Sequence, residues 1–466
     1  MNEKENIQLT TIPKPAIFPD VPPVFLTEDT ITERINKTIE RMKDEAIDLL
    51  VIYADKEHGG NFEYFTGFIP RFEEGLLVLD QSGKFTMILG NENLKMNAHA
   101  RITADLIHYP AFSLPNQPMD HEQNLSAIFA SLKVADRKKI GLVGWKLFTS
   151  MTQNNSQLFD VPFFIVDALK QAITAETAIV NGTHLLIGEE GARVTNNANE
   201  IAHYEYGANL ASSCMLRALD AIELGVKESE IGELLHGQGQ ANTVITIAAT
   251  GRRFEFANLY PTAKTIQFGD PLSLTTGFKG GLSSRTGFVI EEEAQLPVEQ
   301  ADYLDRVAKP YYAAIVSWLE AIHIGMKGAD LYQLIETVLP QVTYHWHLNP
   351  GHLTADEEWL ASPIYSGSQE IIKSGMIFQL DIIPSVSGYT GVSAEECVAL
   401  ADEGLRNELK EQYPDMWERI VRRKQYLADV LKIHLSEELL PLSNTVGYLR
   451  PFFLAKEKAF CVDSVE

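Results

Sequence analysis

Two segments one hundred residues apart carry nearly the same pattern, AIELGVKESEIGELL at 221–235 and AIHIGMKGADLYQLI at 321–335. Ala, Ile, Gly, Lys and Leu recur in register, and each copy follows an apolar stripe at helical spacing. The first stripe runs through Ile201, Tyr204, Ala208, Ala211, Met215, Ala218 and Ile222, and the second through Leu304, Val307, Tyr311, Ile315, Trp318 and Ile322. A helix, a glycine stop at Gly225 or Gly325 and a second helix, used twice, predict a domain made of two similar halves in which Ile222 and Ile322 are equivalent.

That domain does not account for the whole chain. At 466 residues the sequence exceeds what one hydrophobic core supports, so two domains are expected. Residues 1–27 hold five prolines and predict an extended arm. Helical periodicity from Thr30 through Ile31, Ile35, Ile39 and Met42 then leads into short apolar runs that suit strands: LLVIYA (49–54), GLLVLD (75–80), FTMILG (85–90), IGLVGW (140–145) and FFIVDA (163–168). Alternation of helices and strands gives an α/β domain over 28–175, a linker over 176–198 where periodicity lapses, and the two-halved domain with its tail over 199–466.

The formal net charge of −24 repels nucleic acid and anionic lipid, so neither is an expected partner. No apolar run approaches the roughly 20 residues needed to cross a bilayer, and the polar start MNEKENIQLT lacks a signal-peptide core, so a cytoplasmic location is expected. The three cysteines, Cys214, Cys397 and Cys461, are too scattered for a disulfide framework or a zinc knuckle. After Gly404 a helical tail ends in the apolar run YLRPFFL, which needs cover from the second domain or another subunit.

The densest chemistry lies between Ser374 and Gly404. Ile377–Ile383 and Val392–Leu400 alternate as strands, and if they pair, Asp381 and Glu395 approach each other across the sheet. Whether Glu395 or Glu396 faces the cleft is open. Upstream, Tyr344-His345-Trp346-His347 places both histidines on one face if it is a strand, with His352 near in sequence, so a single metal ion held with Asp381 or Glu395 is conceivable. A loop with surface histidines is the plainer reading.

Several stretches in order resemble the creatinase, aminopeptidase P and prolidase family. NFEYFTGF (61–68) is similar to a segment of that family's first domain; EIAHYEYGANLASSCMLRAL, FGDPLSLTTG, SGMIFQLDIIP and GVSAEECVALADEG are similar to its pita-bread domain. The resemblance implies an α/β (α+β) fold, with a creatinase-like first domain and a pita-bread second domain of internal pseudo-twofold symmetry. It also implies a homodimer.

For the site, the resemblance implies two divalent ions held by two Asp, one His and two Glu, and this sequence departs from that set. The first Asp position falls on Thr275, and the second on Thr286 or, with a one-residue shift, Arg285. The histidine matches His352, the first Glu matches Asp381 and the last matches Glu395. A family histidine before a Pro-Thr pair falls on Asn258, and a second one falls near Trp359; neither replacement transfers a proton. Asp381 and Glu395 balance only part of the charge of two divalent ions, threonine hydroxyls are weak neutral ligands, and Arg285 would repel metal. The expectation is therefore a peptidase-like protein with a degraded dinuclear site and no cofactor: a binding protein for a peptide or small zwitterion, or an altered hydrolase. The alternative is an active Xaa-Pro dipeptidase or aminopeptidase that uses manganese, cobalt or zinc through other ligands. In the degraded reading Arg285 or water satisfies Asp381 and Glu395.

Overall fold

The computed structural model describes residues 7–463, so the first six residues of the expected arm and the last three of the tail lie outside it. The described chain divides into two compact units, Leu26–Val194, and the segments up to Phe25 and from Thr195 onward.

The first strand, β1 (Ile7–Thr11), belongs to the larger unit. In the Leu26–Val194 unit, α1 (Glu28–Asp44) is followed by β2 (Leu49–Ala54), α2 (Gly60–Thr66), β3 (Gly75–Asp80), β4 (Phe85–Leu89), β5 (Ala104–His108), α3 (Leu125–Ser131), β6 (Lys139–Val143), α4 (Phe163–Ala172) and β7 (Ala178–Asn181). Its sheet has the order β5-β4-β3-β2-β6-β7, antiparallel at β2–β3 and β3–β4 and parallel elsewhere. Thr27 caps α1 by accepting from the Thr30 backbone N–H. The expected strand at 163–168 is a helix instead: the apolar spacing of Ile165, Val166, Ala168 and Leu169 continues into LKQA, and these four residues bury one helical face. Part of the expected linker is also ordered as β7, which pairs with β6.

The larger unit continues with α5 (Ala198–Ala221), α6 (Glu228–Leu234), β8 (Ile247–Thr250), α7 (Arg252–Glu255), β9 (Pro271–Phe278) and β10 (Gly281–Phe288). Next come α8 (Lys309–Ala321), α9 (Gly328–Val338), α10 (Gln341–Tyr344), β11 (His352–Leu353), β12 (Ile377–Leu380) and β13 (Ser393–Leu400), and finally α11 (Glu403–Gln412), α12 (Pro414–Tyr426), β14 (Leu439–Pro441) and β15 (Lys458–Val462). The central sheet runs β11-β12-β13-β10-β9-β8, with β14 also on β13. The arm packs on this unit: β1 pairs with β15, and Val21 and Phe18 sit against Tyr206, Leu210 and Cys214 of α5.

The sequence repeat reappears as repeated geometry. Ile222 and Ile322 both end their helices fully buried, and Gly225 (φ 86°) and Gly325 (φ 90°) both take the left-handed turn that glycine allows. Gly225 donates to Ile266 O and Ile266 returns a bond to Val226 O; Gly325 donates to Ile372 O and Ile372 returns one to Met326 O. The YLRPFFL run is buried within its own unit at Tyr448, Leu449, Phe452 and Phe453, so it gives no reason for a second subunit. Among the described residues no helix is long and apolar enough to cross a membrane.

Candidate active site cleft

A two-residue turn at Lys279–Gly280 sets the site's geometry. Gly280 adopts φ 97°, and a Cβ there would lie 2.3 Å from Tyr204 O, so glycine is required. The β9–β10 hairpin closed by this turn places Thr275 opposite Ser284 and Ser273 opposite Thr286, and β13 adds Glu395 opposite Ser284 and Ser393 opposite Thr286. Residues opposite one another share a face. Their hydroxyls form a chain: Thr275 donates to Ser284 at 3.0 Å, Ser284 lies 3.1 Å from Ser393, Ser393 donates to Thr286 at 3.2 Å, and Thr286 is 3.0 Å from Ser273.

Pairing of β12 with β13 sets Leu380 opposite Glu396, which brings Asp381 toward Glu395, and β11 places His352 opposite Gln379. His352 is fully buried, Asp381 is 3% exposed and Glu395 7%. His352 Nδ1 donates to Leu353 O at 3.1 Å, while Nε2 lies 3.0 Å from Glu358 Oε1 and 3.8 Å from Asp381 Oδ2. Glu358 is thus the nearest partner of Nε2, while Asp381 Oδ1 is buried without a hydrogen-bond partner. Trp359 stacks on the imidazole with ring centres 4.0 Å apart.

Burial raises the Asp381 carboxyl to about 6 against the pull of His352. Burial, then the Asp381 charge, pushes Glu395 well above the usual carboxylate range, with the Arg285 charge and a Ser284 hydrogen bond opposing. For His352, burial disfavours the cation but is outweighed by Glu358 and Asp381, so its pKa rises.

Arg285 is not part of this cluster. Strand alternation turns it to the opposite face, where it is fully buried and bonded to Glu396 Oε1 at 2.6 Å, Ser284 O at 2.7 Å, Thr445 O at 2.8 Å and Tyr448 O at 2.9 Å. Its only approach to Glu395 is 3.4 Å to the backbone carbonyl. The expectation that Arg285 satisfies Asp381 and Glu395 is thus corrected, and the open choice between the two glutamates falls to Glu395 for the cleft.

The other candidates separate likewise. Asn258 is exposed in the loop after α7 and reaches Phe256 O within that loop. His345 and His347 do not lie on a strand: α10 ends at Tyr344, His345 turns left-handed with φ 50°, Trp346 is buried between them, and both histidines are exposed. Sequence reasoning missed Ser284, which the short Lys279–Gly280 turn puts opposite Thr275 in place of Thr286, and Glu358, for which no sequence signal exists.

Across from each other on β9 and β10 stand two neutral hydroxyls bonded to one another, and among the described residues no group of three or more His, Cys, Asp or Glu side chains is arranged to hold a metal ion. His352, Glu358, Asp381 and Glu395 are the ionisable side chains that gather at this end of the sheet.

Residues 202–402 match metallopeptidase family M24. No curated protein sequence matches the chain. Among solved structures it is similar to an Xaa-Pro dipeptidase from Bacillus anthracis, with 17% identity, TM-score 0.60 and coverage of 80% of this chain and 96% of that one. It is also similar to a recombinant prolidase from Thermococcus sibiricus, with 18% identity, TM-score 0.61 and coverage of 80% and 95%. An X-Pro aminopeptidase from Thermotoga maritima gives 16%, 0.58, 79% and 95%. At these identities the likeness is one of fold, and the α/β plus pita-bread architecture expected from the sequence is the one found.

Proposed function

Starting from a chain whose residues 202–402 match metallopeptidase family M24, we propose that it is an Xaa-Pro peptidase-like protein with a degraded dinuclear centre, which binds a small peptide or zwitterion in the old cleft without hydrolysing Xaa-Pro bonds. One observation carries this reading: Thr275 and Ser284 face each other across the β9–β10 hairpin and spend their hydroxyls on one another at 3.0 Å. Two metal ions in a poorly hydrated cleft need anionic oxygens there to balance their charge, and hydroxyl groups supply none. The loss of proton-transferring side chains at Asn258 and Trp359 points the same way. A homodimer in the cytoplasm completes the proposal.

The test is hydrolysis of Xaa-Pro dipeptides by the full chain with added manganese, cobalt or zinc. Absent or very slow turnover is expected. Efficient turnover that disappears in Glu395→Ala would establish the second reading, an active peptidase with a non-standard ligand set, which the unpartnered Asp381 Oδ1 favours.

A further inference from the structure

The proline-rich arm meets the larger unit with a period of three. Ile12, Pro15 and Val21 are buried and Phe18 and Val24 half-buried, while the residues between them, Lys14 apart, are exposed. About three residues per turn is the repeat of a polyproline II helix, so one edge of such a segment, bent by a turn at Pro19–Asp20, faces the protein. Side chains of the larger unit hold its carbonyls. Tyr426 donates to Pro13 O at 2.8 Å, Asn209 to Phe18 O at 3.0 Å, Gln238 to Pro19 O at 3.0 Å, His203 to Val24 O at 2.6 Å and Asn199 to Phe25 O at 3.0 Å. The order of these contacts sets the arm antiparallel to α5, where Phe18 and Val21 meet Leu210, Ala211 and Cys214. A polyproline II segment makes no hydrogen bonds within itself and its prolines have no N–H to give, so donors aimed at its carbonyls hold it whatever its side chains.

The arm does not fill its groove. Between Phe18–Val24 and the first turns of α12 lies a cavity of about 480 Å³, with Pro19, Pro22, Tyr413, Met416 and Arg422 in its lining. Aromatic and apolar surface beside donors set for carbonyls is the chemistry that recognises proline-rich ligands in an extended conformation. The tether gives the arm a high effective concentration at the groove, so a competing segment must gain contacts that the arm lacks. The cavity offers them: a larger apolar side chain at the level of Asp20 would cover Tyr413 and Met416, which the arm leaves lining open space.

We propose that the groove along α5 and α12 is a docking site for an extended proline-rich segment of a partner protein, and that the arm is its resident competitor. Asn199, His203, Asn209, Gln238 and Tyr426 hold the incoming carbonyls, and the cavity beside Tyr413 takes the side chain that lets the partner displace the arm. None of these residues belongs to the cleft, so the inference stands apart from what the cleft does.

The experiment follows the fluorescence anisotropy of a labelled peptide with the sequence of residues 10–25 as the full chain is added. The wild-type chain, its groove occupied, is expected to bind the peptide weakly. The Val21→Asp chain, whose arm is loosened at a buried anchor, should bind one peptide per chain at least about tenfold more tightly. Phe18→Ala in the chain is a milder loosening that gives the same order and serves if Val21→Asp does not fold. Gln238 is exposed, so Gln238→Ala added to either variant tests the groove without testing the fold, and it should weaken binding severalfold. A peptide carrying Asp20→Trp should bind the wild-type chain about tenfold more tightly than the unaltered peptide. Equal binding by the wild type and the loosened variants, indifference to Gln238→Ala, no gain from Asp20→Trp, or undiminished binding of a peptide whose prolines are all replaced by alanine would each overturn the inference.

Discussion

Replacing Arg285 by methionine should be among the most damaging single changes in the chain, and the damage should be relieved through Glu396, not through the cleft acids. Arg285 and Glu396 are 0% and 1% exposed, and their 2.6 Å contact is the arginine's one bond to a carboxylate. Removing one member of a buried pair leaves the other charged and unsolvated, at a cost of about 3–5 kcal/mol. Glu396 would keep only its bonds from Ser283 and Thr445, and its Oε2 already lacks a partner. At about 2–4 °C per kcal/mol for a unit of this size, thermal denaturation of Arg285→Met should fall by roughly 10 °C. The double variant Arg285→Met/Glu396→Leu should regain at least half of that loss, since replacing both partners by apolar groups removes the stranded charge. Asp381→Asn should shift the midpoint by the same amount in the Arg285→Met background as in wild type. A single variant within about 2 °C of wild type, or a larger gain from Asp381→Asn in the Arg285→Met background than in wild type, would refute the placement of Arg285 behind the sheet.

Three further outcomes follow from the same contacts. Asp381 has a folded pKa of about 6 against an ordinary 3.8, so its contribution is fully present below about pH 4 and is lost as pH rises through 6; the denaturation midpoint should fall over that window, and Asp381→Asn should flatten the fall. Glu205→Gln should destabilise by about 3 kcal/mol or more in thermal denaturation, because the carboxylate, fully buried, joins Arg419 at 2.6 Å and Arg423 at 2.7 Å and its loss strands both. Gly207→Ala should cost about 2 kcal/mol or more by the same measurement, since its Cβ would lie 1.8 Å from Lys279 O in the turn that registers Thr275 against Ser284.

Features set by local periodicity were legible in the sequence. The repeated helix, glycine and helix reads off the chain because Gly225 and Gly325 each need a conformation that other residues avoid, and the β12 and β13 alternation already pointed Asp381 and Glu395 at each other. Helix α4 is not legible because Phe163–Ala168 is a short apolar run that suits either period, and the deciding Leu169 lies just past it. The face that Arg285 occupies depends on the length of the hairpin turn, which a family spacing alone does not fix. Once Lys279–Gly280 is taken as a two-residue turn, Ser284 faces Thr275 and Arg285 must face away. Glu358 had no such route, since a loop with no periodic register brings it to His352.

The central claim is that the cleft has lost the charge needed for a pair of divalent ions, and metal content measures it most directly. Purified full-length chain, incubated with manganese or zinc, desalted and subjected to elemental analysis, should retain no stoichiometric pair of ions. Close to two metals per chain, lost in His352→Ala, would contradict the account.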